Sequence, residues 1–327
     1  MKLASFWAAG RDRIGFEDNA GNVVDIAAAA AAHGMPQLAE TRTDLLSLLE
    51  TEHADWWPAL QELHGLYGAG QRDGLRFAPD EIVWHPPVRR PSKLCCLALN
   101  NSANSERILS GPSHPALFVK PWTAMTGHRT ALQVRPAYGR VHPEPELAVV
   151  IGKRAKNIAA AQAAAHVFGY TIHNDFTSPT MRAEDTFHYR AIHPSAADPE
   201  QIEYVDTHVS YPGRYKCSDT FSAVGPWLVT ADEIADPHAL DVACSHDGRQ
   251  ITQDNTANLF HKLPEVIEFV SSYMTLVPGD IISLGTALRR SGGGMAVQNV
   301  NLAALGGEIS VAISGLGMLS NHVEKLA

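Results

Sequence analysis

The chain has 327 residues, of which 45% are hydrophobic and 19% charged, and this balance provides enough apolar mass for a folded core. Its net charge of −9 offers no basic surface to nucleic acid or to an anionic membrane. No stretch approaches the ~18 uncharged apolar residues of a membrane span. Charged residues at positions 11–13 interrupt the first apolar run, so we expect no signal peptide.

The four cysteines, Cys95, Cys96, Cys217 and Cys244, have a spacing that matches no zinc motif. The adjacent pair Cys95 and Cys96 is typical of a buried strand. Unpaired thiols persist in reducing compartments, so the sequence predicts a cytoplasmic protein with reduced cysteines.

The first 88 residues predict a small N-terminal domain without catalytic residues. Short strands come first and amphipathic helices follow. The expected elements are Lys2–Trp7, Arg13–Glu17 and Val23–Ile26 as strands, and Thr43–His53 and Trp56–Tyr67 as helices. Several prolines between positions 79 and 91 predict a linker. Residues 89–327 then form the predicted catalytic region.

The catalytic region begins with two predicted strands, Ser92–Leu99 and Ala116–Pro121. After the stretch VHPEPELAVVIG, an alanine-rich helix is expected over Ile158–Val167 and a strand over Gly169–Asp175. Thr177–Tyr215 is long and polar, which is typical of a lid or an insertion.

Two carboxylates, Glu144 and Glu146, lie at the start of the apolar run Leu147–Ile151. Such a run, ending at Gly152, predicts a buried strand on which residues two apart face the same side. Asp175 ends a second apolar strand, where a third carboxylate could join them. A hard divalent cation such as Mg²⁺ would relieve the repulsion among these groups. The alternative is a pair of solvated acids at a strand entrance.

Five stretches, PELAVVIG, GYTIHND, YKCSDTFSAVGPWLVTADEI, MTLVPGDII and GLGMLSN, follow one another in the chain. With these motifs the chain resembles the fumarylacetoacetate hydrolase family over roughly residues 90–322. The resemblance implies a β-rich α+β fold, a mixed β-sandwich roll with a small N-terminal α/β domain, and a homodimer. It also implies Mg²⁺, with Mn²⁺ or Ca²⁺ as alternatives, and small dicarbonyl or 2-oxo acid substrates.

The resemblance assigns roles to particular residues. Its metal ligands fall on Glu144, Glu146 and Asp175, and its site lysine falls on Lys216 in KCSDTF. The expected substrate contacts in the rest of the site are Gln253 in QDNTAN, Gly285, Thr286, Asn104 and Arg182.

Three departures from the family pattern concern the chemistry. Asn104 stands where a water-activating histidine is expected, and an amide is no general base near neutral pH. Glu106 lies next to the usual glutamate position, so Glu106 or His142, two residues before Glu144, is the candidate for proton transfer. Leu284–Ala287 replaces the usual TGTP loop, and Pro179 replaces an arginine for which Arg182 is the nearest substitute.

The resulting expectation is a divalent-metal-dependent hydrolase that cleaves a C–C bond in a β-diketone or acylpyruvate-type substrate from aromatic catabolism. A 2-oxo-acid decarboxylase or a keto–enol isomerase with the same metal site is the alternative, because neither needs an attacking water. A non-enzymatic binding protein that keeps the fold is the third hypothesis.

Overall fold

The computed structural model of the protein describes residues 1–40, 42–68, 70, 75–101, 108–109, 111–286 and 296–327. The first 88 residues contribute five strands and four helices to this part of the chain. The strands are β1 (Lys2–Ala8), β2 (Arg11–Glu17), β3 (Val23–Asp25), β4 (Arg76–Phe77) and β5 (Val83–Trp84). The helices are α1 (Ile26–Ala32), α2 (Pro36–Ala39), α3 (Leu46–Leu49) and α4 (His53–Gly68).

The remaining described residues are richer in strands than in helices. The strands are β6 (Leu94–Ala98), β7 (Ala116–Lys120), β8 (Met125–Thr126), β9 (Ala131–Val134), β10 (Pro145–Ile151), β11 (Val167–Asp175), β12 (Phe187–Pro194), β13 (Ile202–Val209), β14 (Ser222–Thr230), β15 (Asp241–His246), β16 (Arg249–Asn255), β17 (Ile281–Thr286), β18 (Glu308–Ile313) and β19 (Gly317–Lys325). The helices are α5 (Pro179–Glu184), α6 (Arg214–Cys217), α7 (Leu263–Tyr273) and α8 (Leu302–Leu305).

One mixed sheet of 12 strands organises the molecule, in the order β4-β3-β2-β1-β14-β11-β10-β17-β6-β7, with β5 beside β1 and β8 beside β14. β1 pairs antiparallel with β14, and Lys2 lies opposite Val229. The N-terminal strands therefore extend the sheet that also contains β10 and β11. The division into residues 1–88 and 89–327 stays a prediction about the order of segments along the chain.

A five-stranded sheet, β16-β15-β18-β19-β9, packs on one face of the large sheet, and N-terminal helices pack on the other. The alternation of side chains along β10 accounts for both layers. Leu147 belongs to the core shared with Val311 of β18, whereas Ala148 belongs to the core shared with Leu60 of α4. All seven residues of β10 are buried. The predicted strand-rich α+β fold with a mixed β-sandwich is confirmed.

Three segments differ from the sequence prediction. The helix expected over Thr43–His53 is reduced to the one-turn helix α3 (Leu46–Leu49), which ends before α4 begins at His53. The alanine-rich stretch forms a 3₁₀ helix over Ala160–His166 and not an α-helix, because β11 begins at the next residue and leaves only a short connection. The long polar segment after residue 177 contains α5, the antiparallel hairpin β12–β13 and α6. None of the helices in the described part of the chain is long and apolar enough to cross a membrane.

Candidate functional site

The three predicted carboxylates come together at one end of the large sheet. Glu146 lies on β10 opposite His173 of β11, and Asp175 ends β11. Glu144 precedes β10, where its backbone carbonyl accepts a 3.0 Å hydrogen bond from the Asp175 N–H. One ligand oxygen from each carboxylate lies within 4.8 Å of the others. The pairing of β10 with β11 is thus what assembles a site from residues 31 positions apart, Glu144 and Asp175.

Glu146 is held by a chain of hydrogen bonds that crosses four adjacent strands. Its Oε2 accepts a 2.5 Å hydrogen bond from the hydroxyl of Ser283 on β17. That hydroxyl lies 2.7 Å from His173 Nδ1, and His173 Nε2 lies 2.7 Å from the Ser222 hydroxyl on β14. Because the Ser283 proton goes to Glu146, Nδ1 of His173 is the donor to Ser283. These hydrogen bonds therefore fix the orientation of the Glu146 carboxylate.

Two lysines surround Asp175. Lys120, at the end of β7, donates to Asp175 Oδ1 and, at 2.7 Å, to the Phe221 carbonyl. Lys216 on α6 donates to Asp175 Oδ2 at 2.5 Å and to Glu144 Oε2 at 2.7 Å. Burial alone would raise the pKa of Asp175, but the two ammonium groups outweigh it and the pKa lies well below the usual range. Asp175 is thus an anion whenever the fold is intact near neutral pH.

The pKa of Lys216 is shifted in the complementary direction. Burial favours the neutral amine, yet the carboxylates of Asp175, Glu144 and Glu146 outweigh that effect and raise the pKa of Lys216 well above its usual range. Lys216 therefore brings a fixed positive charge to the site and is no proton acceptor.

The strand after Ser283 brings backbone and hydroxyl groups to the carboxylates. The Gly285 N–H donates to Glu146 Oε2 at 3.3 Å, and the Thr286 hydroxyl lies 3.1 Å from both Glu144 Oε2 and Glu146 Oε1. Gly285 has a φ of +94°, and a Cβ there would lie 2.9 Å from Cβ of Asn100. A glycine is required at this position so that the strand can pass Asn100 and present Thr286.

His142 lies beside the carboxylates although β10 begins only after it. A backbone bridge with Thr177 holds it, and its Nδ1–H donates a 3.2 Å hydrogen bond to the Pro143 carbonyl. Its Nε2 is 3.9 Å from Glu144 Oε1. Burial lowers the pKa of His142, against the opposing effect of the Glu144 carboxylate. The ring is buried next to the site with Nε2 directed toward it.

These groups open onto a cavity of about 450 Å³. Its described lining combines site residues with apolar and polar walls. The lining residues are Leu97, Ala98, Leu99, Asn101, Phe118, His142, Glu144, Thr177, Pro179, Arg182, Pro212, Tyr215, Lys216, Thr286 and Gln298. The cavity is large enough for a small organic acid, and Glu144 is the member of the carboxylate cluster that lines it.

The other predicted site residues lie at different places relative to the cavity. Arg182 lies on α5 and lines the cavity. Gln253 lies on β16, exposed to solvent and outside the described lining, with a hydrogen bond from Gln250. Asn104 and Glu106 lie outside the residues that the structure describes.

The donor set fits a hard divalent cation. Three carboxylates supply oxygen ligands only, which Mg²⁺ and Mn²⁺ prefer. Against the two ammonium groups of Lys120 and Lys216, these carboxylates leave one net negative charge. A divalent cation would convert it to one positive charge, which the carboxylate of a substrate would balance.

Sequence reasoning missed four residues of this site. Lys120, His173 and Ser283 support the carboxylates, and Asn101 lines the cavity. The available signals were a lysine at the end of the apolar strand Ala116–Lys120 and a histidine within the apolar strand Val167–Asp175.

Known proteins resemble this chain in sequence and in fold. The family profile described as fumarylacetoacetate (FAA) hydrolase C-terminal matches residues 93–324. The mitochondrial oxaloacetate tautomerase FAHD2A of Bos taurus is 33% identical over 248 residues, which are 74% of this chain and 70% of that protein.

Two solved structures match over the full length of both chains. The fumarylacetoacetate hydrolase of Exiguobacterium antarcticum is 25% identical, with a TM-score of 0.71. The maleylpyruvate hydrolase of Sphingobium sp. SYK-6, solved with manganese(II) and pyruvate, is 24% identical with a TM-score of 0.69, a likeness that concerns the fold. The profile match covers well over half of this chain and includes the strands that carry the carboxylates. The chain therefore belongs to the fumarylacetoacetate hydrolase family.

Proposed function

We propose that this protein is a divalent-metal-dependent hydrolase that cleaves a C–C bond in a 2,4-dioxo acid of the acylpyruvate type. One observation carries the proposal: Glu144, Glu146 and Asp175 converge beside Lys216 and His142, at a cavity that Glu144, Lys216 and His142 line. A site of this kind combines an oxygen-ligand cation site, a fixed positive charge and a base, which are the groups that such a cleavage needs.

Glu144, Glu146 and Asp175 would hold the cation, with Mg²⁺ as our first choice and Mn²⁺ as the alternative. When bound, such an ion supplies Lewis-acid polarisation of the substrate's 2-oxo group. The hydrogen bonds of Ser283 and Thr286 to Glu146 keep the carboxylate oriented for that task.

The chain's own residues bind and orient the substrate acid. Lys216 lines the cavity and has one N–H beyond the two that it donates to Glu144 and Asp175, so it is placed to meet the substrate's carboxylate or the charge that develops on its oxygens. Thr286 lines the same cavity as a further contact of the substrate. Arg182, on the same cavity, is the proposed second contact of that carboxylate. Their combined positive charge selects an anionic substrate.

His142 is the proposed proton-transfer residue. Because its Nδ1–H is committed to the Pro143 carbonyl, Nε2 can accept a proton from a water molecule in the cavity. The water oxygen adds to C4 of the substrate, the C3–C4 bond breaks with its electron pair left on C3, and C3 takes up the proton. The products are a carboxylic acid and a 2-oxo acid. Glu106 remains the second candidate for this role.

Keto–enol tautomerisation is the second candidate reaction. The 33% identical relative from Bos taurus is named an oxaloacetate tautomerase. A tautomerase moves one proton between C3 and the C2 oxygen and needs no attacking water. Asn104, where the family's water-activating histidine is expected, favours this alternative over hydrolysis.

The experiment that tests the proposal is product analysis with the purified protein. The protein is stripped of metal, resupplied with Mg²⁺ or Mn²⁺, and given 2,4-dioxopentanoate or oxaloacetate in ¹⁸O-labelled water. Hydrolysis predicts acetate carrying one ¹⁸O together with pyruvate from the first compound. An enol–keto change without altered mass would favour the tautomerase, and loss of CO₂ from oxaloacetate would favour a decarboxylase.

We further propose a homodimer, as family membership implies. The hairpin β12–β13 supports this proposal because it exposes apolar side chains on both faces, among them Phe187, Tyr189, Ile192 and Tyr204. A two-stranded hairpin is marginally stable alone, so a second copy of the chain is the occupant we propose for this surface. The mass in solution by light scattering tests it: a monomer with the intact hairpin contradicts it.

The location and the metabolic setting also remain proposals. All four cysteines are free, which supports a reducing compartment such as the cytoplasm. Aromatic catabolism is the proposed source of the dicarbonyl substrate.

A further inference from the structure

Asn101 is a buried polar residue whose hydrogen bonding is incomplete. It lies just after β6, is 5% exposed and lines the cavity that contains Glu144 and Lys216. Its Oδ1 is buried and has no hydrogen-bond partner within the described part of the chain. Native proteins seldom leave such an oxygen unsatisfied, because the lost hydration is not recovered.

The backbone is held at Asn101 itself and at the residue before it. Asn101 forms an isolated antiparallel bridge with Leu259. The side chain of the preceding Asn100 donates to the carbonyls of Leu284 and His261 and accepts from the His261 N–H. The amide of Asn101 is therefore presented to the cavity by a fixed support.

The chemistry of the cavity restricts what could donate to Oδ1 of Asn101. Among the described residues, the apolar lining near β6 and β7, which includes Leu97 and Phe118, has no side-chain donor. Two of the three N–H groups of Lys216 go to carboxylates, and the proposed function assigns the third to the acid end of the substrate. A ligand carboxylate would place an acceptor against an acceptor, and a ligand ammonium would add a cation to a cavity with Lys216 and Arg182. A neutral hydroxyl group satisfies every one of these conditions.

We infer that Asn101 is a specificity-determining residue that accepts a hydrogen bond from a hydroxyl group on the substrate's acyl part. The substrate class is thereby narrowed to hydroxylated 2,4-dioxo acids. This inference rests on the proposed function, since it assumes that the 2-oxo acid end of the substrate lies at the carboxylate cluster.

Matched substrate pairs test the inference. The pairs are 2,4-dioxopentanoate with its 5-hydroxy derivative and 2,4-dioxohexanoate with its 6-hydroxy derivative, each assayed for kcat/KM with Mn²⁺ present. One hydrogen bond to a buried neutral acceptor predicts that the wild-type protein prefers at least one hydroxylated member by about 10-fold. Asn101→Leu, close in size and without an acceptor, should remove that preference by slowing only the hydroxylated member. Asn101→Thr, which restores an oxygen, should recover part of it.

Gln61→Leu on α4 provides the matched control, because it replaces an exposed amide outside this cavity with the same apolar side chain. It should retain the wild-type preference. Equal turnover of both members of each pair by the wild-type protein overturns the inference, as does an equal loss for both members in Asn101→Leu.

A binding measurement separates this inference from the proposed function. Calorimetry with Mn²⁺ compares 2-oxopentanoate with its 5-hydroxy derivative and 2-oxohexanoate with its 6-hydroxy derivative, which have no C4 carbonyl to cleave. If a hydroxylated acid binds more tightly than its parent, and Asn101→Leu abolishes the difference, the hydroxyl site is supported even without turnover of any dioxo acid. The lack of turnover would then refute only the proposed hydrolase activity. Turnover of dioxo acids without any hydroxyl preference in rate or binding refutes only the role of Asn101.

Discussion

Ser283 donates a 2.5 Å hydrogen bond to Glu146 across two neighbouring strands, and the same hydroxyl accepts from Nδ1 of His173, 2.7 Å away. The metal-ligand candidate Glu146, 1% exposed, thus depends on residues of β17 and β11 for its orientation. Mutation of a group that orients a metal ligand through a hydrogen bond typically weakens metal binding by about 10- to 100-fold.

The first prediction concerns that hydrogen bond. Ser283→Ala removes the donor to Glu146 while keeping the shape of the strand, and it should weaken Mn²⁺ binding by about 10- to 100-fold. Calorimetric titration of the metal-free protein measures the effect. Ser222→Ala should have a smaller effect, because it removes the hydroxyl at the far end of the same chain, which reaches Glu146 only through His173 and Ser283. An unchanged Mn²⁺ affinity in Ser283→Ala would contradict the assigned role.

The second prediction concerns the buried ion pair between Lys120 and Asp175. Lys120→Met leaves the Asp175 carboxylate buried with one ammonium partner in place of two, and the free energy of unfolding should fall by about 3–5 kcal/mol. Urea unfolding measures this loss. Adding Asp175→Asn to Lys120→Met should restore much of it, because the buried side chain that lost one of its two ammonium partners is then neutral.

A part-exposed ion pair supplies the comparison for Lys120. Lys2 and Glu17 form a 2.8 Å ion pair between β1 and β2 with both side chains partly exposed, so Lys2→Met should change the unfolding free energy little. If Lys120→Met proved as harmless as Lys2→Met, the Lys120–Asp175 pair would not be the buried support that we describe.

The third prediction concerns acid stability and a histidine outside the catalytic site. His128 is 7% exposed, accepts a 3.0 Å hydrogen bond from the Ser320 N–H at Nδ1, and packs edge-on against Trp84. Burial, with a smaller effect of the Arg129 charge, lowers the pKa of His128 to about 4. Its folded-state pKa thus lies below the unfolded value of about 6.5.

Because the unfolded chain takes up this proton first, His128 contributes stability above pH ~6.5 and loses it as the pH falls toward 4. The loss should reach about 3 kcal/mol at most. His128→Gln keeps an acceptor for Ser320 without a titrating group, so its unfolding free energy should fall less over this range. Parallel urea titrations of both proteins at pH 7 and pH 4.5 provide the measurement, and identical losses would contradict the prediction.

The sequence is sufficient to predict β10 and its carboxylates. A continuous apolar run marks a strand buried on both faces, and the spacing of Glu144 and Glu146 shows that they share an end of it. Asp175 is predictable because it ends the neighbouring apolar strand. These predictions depend only on local patterns of residue types, which can be read directly from the sequence.

The support of the site is not predictable in the same way. Ser283 reaches the carboxylates because β17 pairs with β10. Lys120 reaches them because β17 also pairs with β6, and β6 pairs with β7. No local sequence pattern specifies this order of strands. Gln253 was expected near the site from its motif, yet β16 lies at the edge of the second sheet and leaves it exposed. The hairpin β12–β13 was expected only as a long polar segment, because its exposed strands lack the buried face that produces a clear alternation.

The proposed metal site is tested by metal-dependent turnover in the wild-type protein and in Glu146→Gln. Chelation should abolish cleavage of a 2,4-dioxo acid by the wild-type protein, and Mg²⁺ or Mn²⁺ should restore it. Glu146→Gln, which keeps the shape of the side chain but removes its charge, should neither bind the ion tightly nor cleave the substrate. Full metal binding and full turnover by Glu146→Gln, or undiminished cleavage after chelation, would contradict the proposed metal site and its role in cleavage.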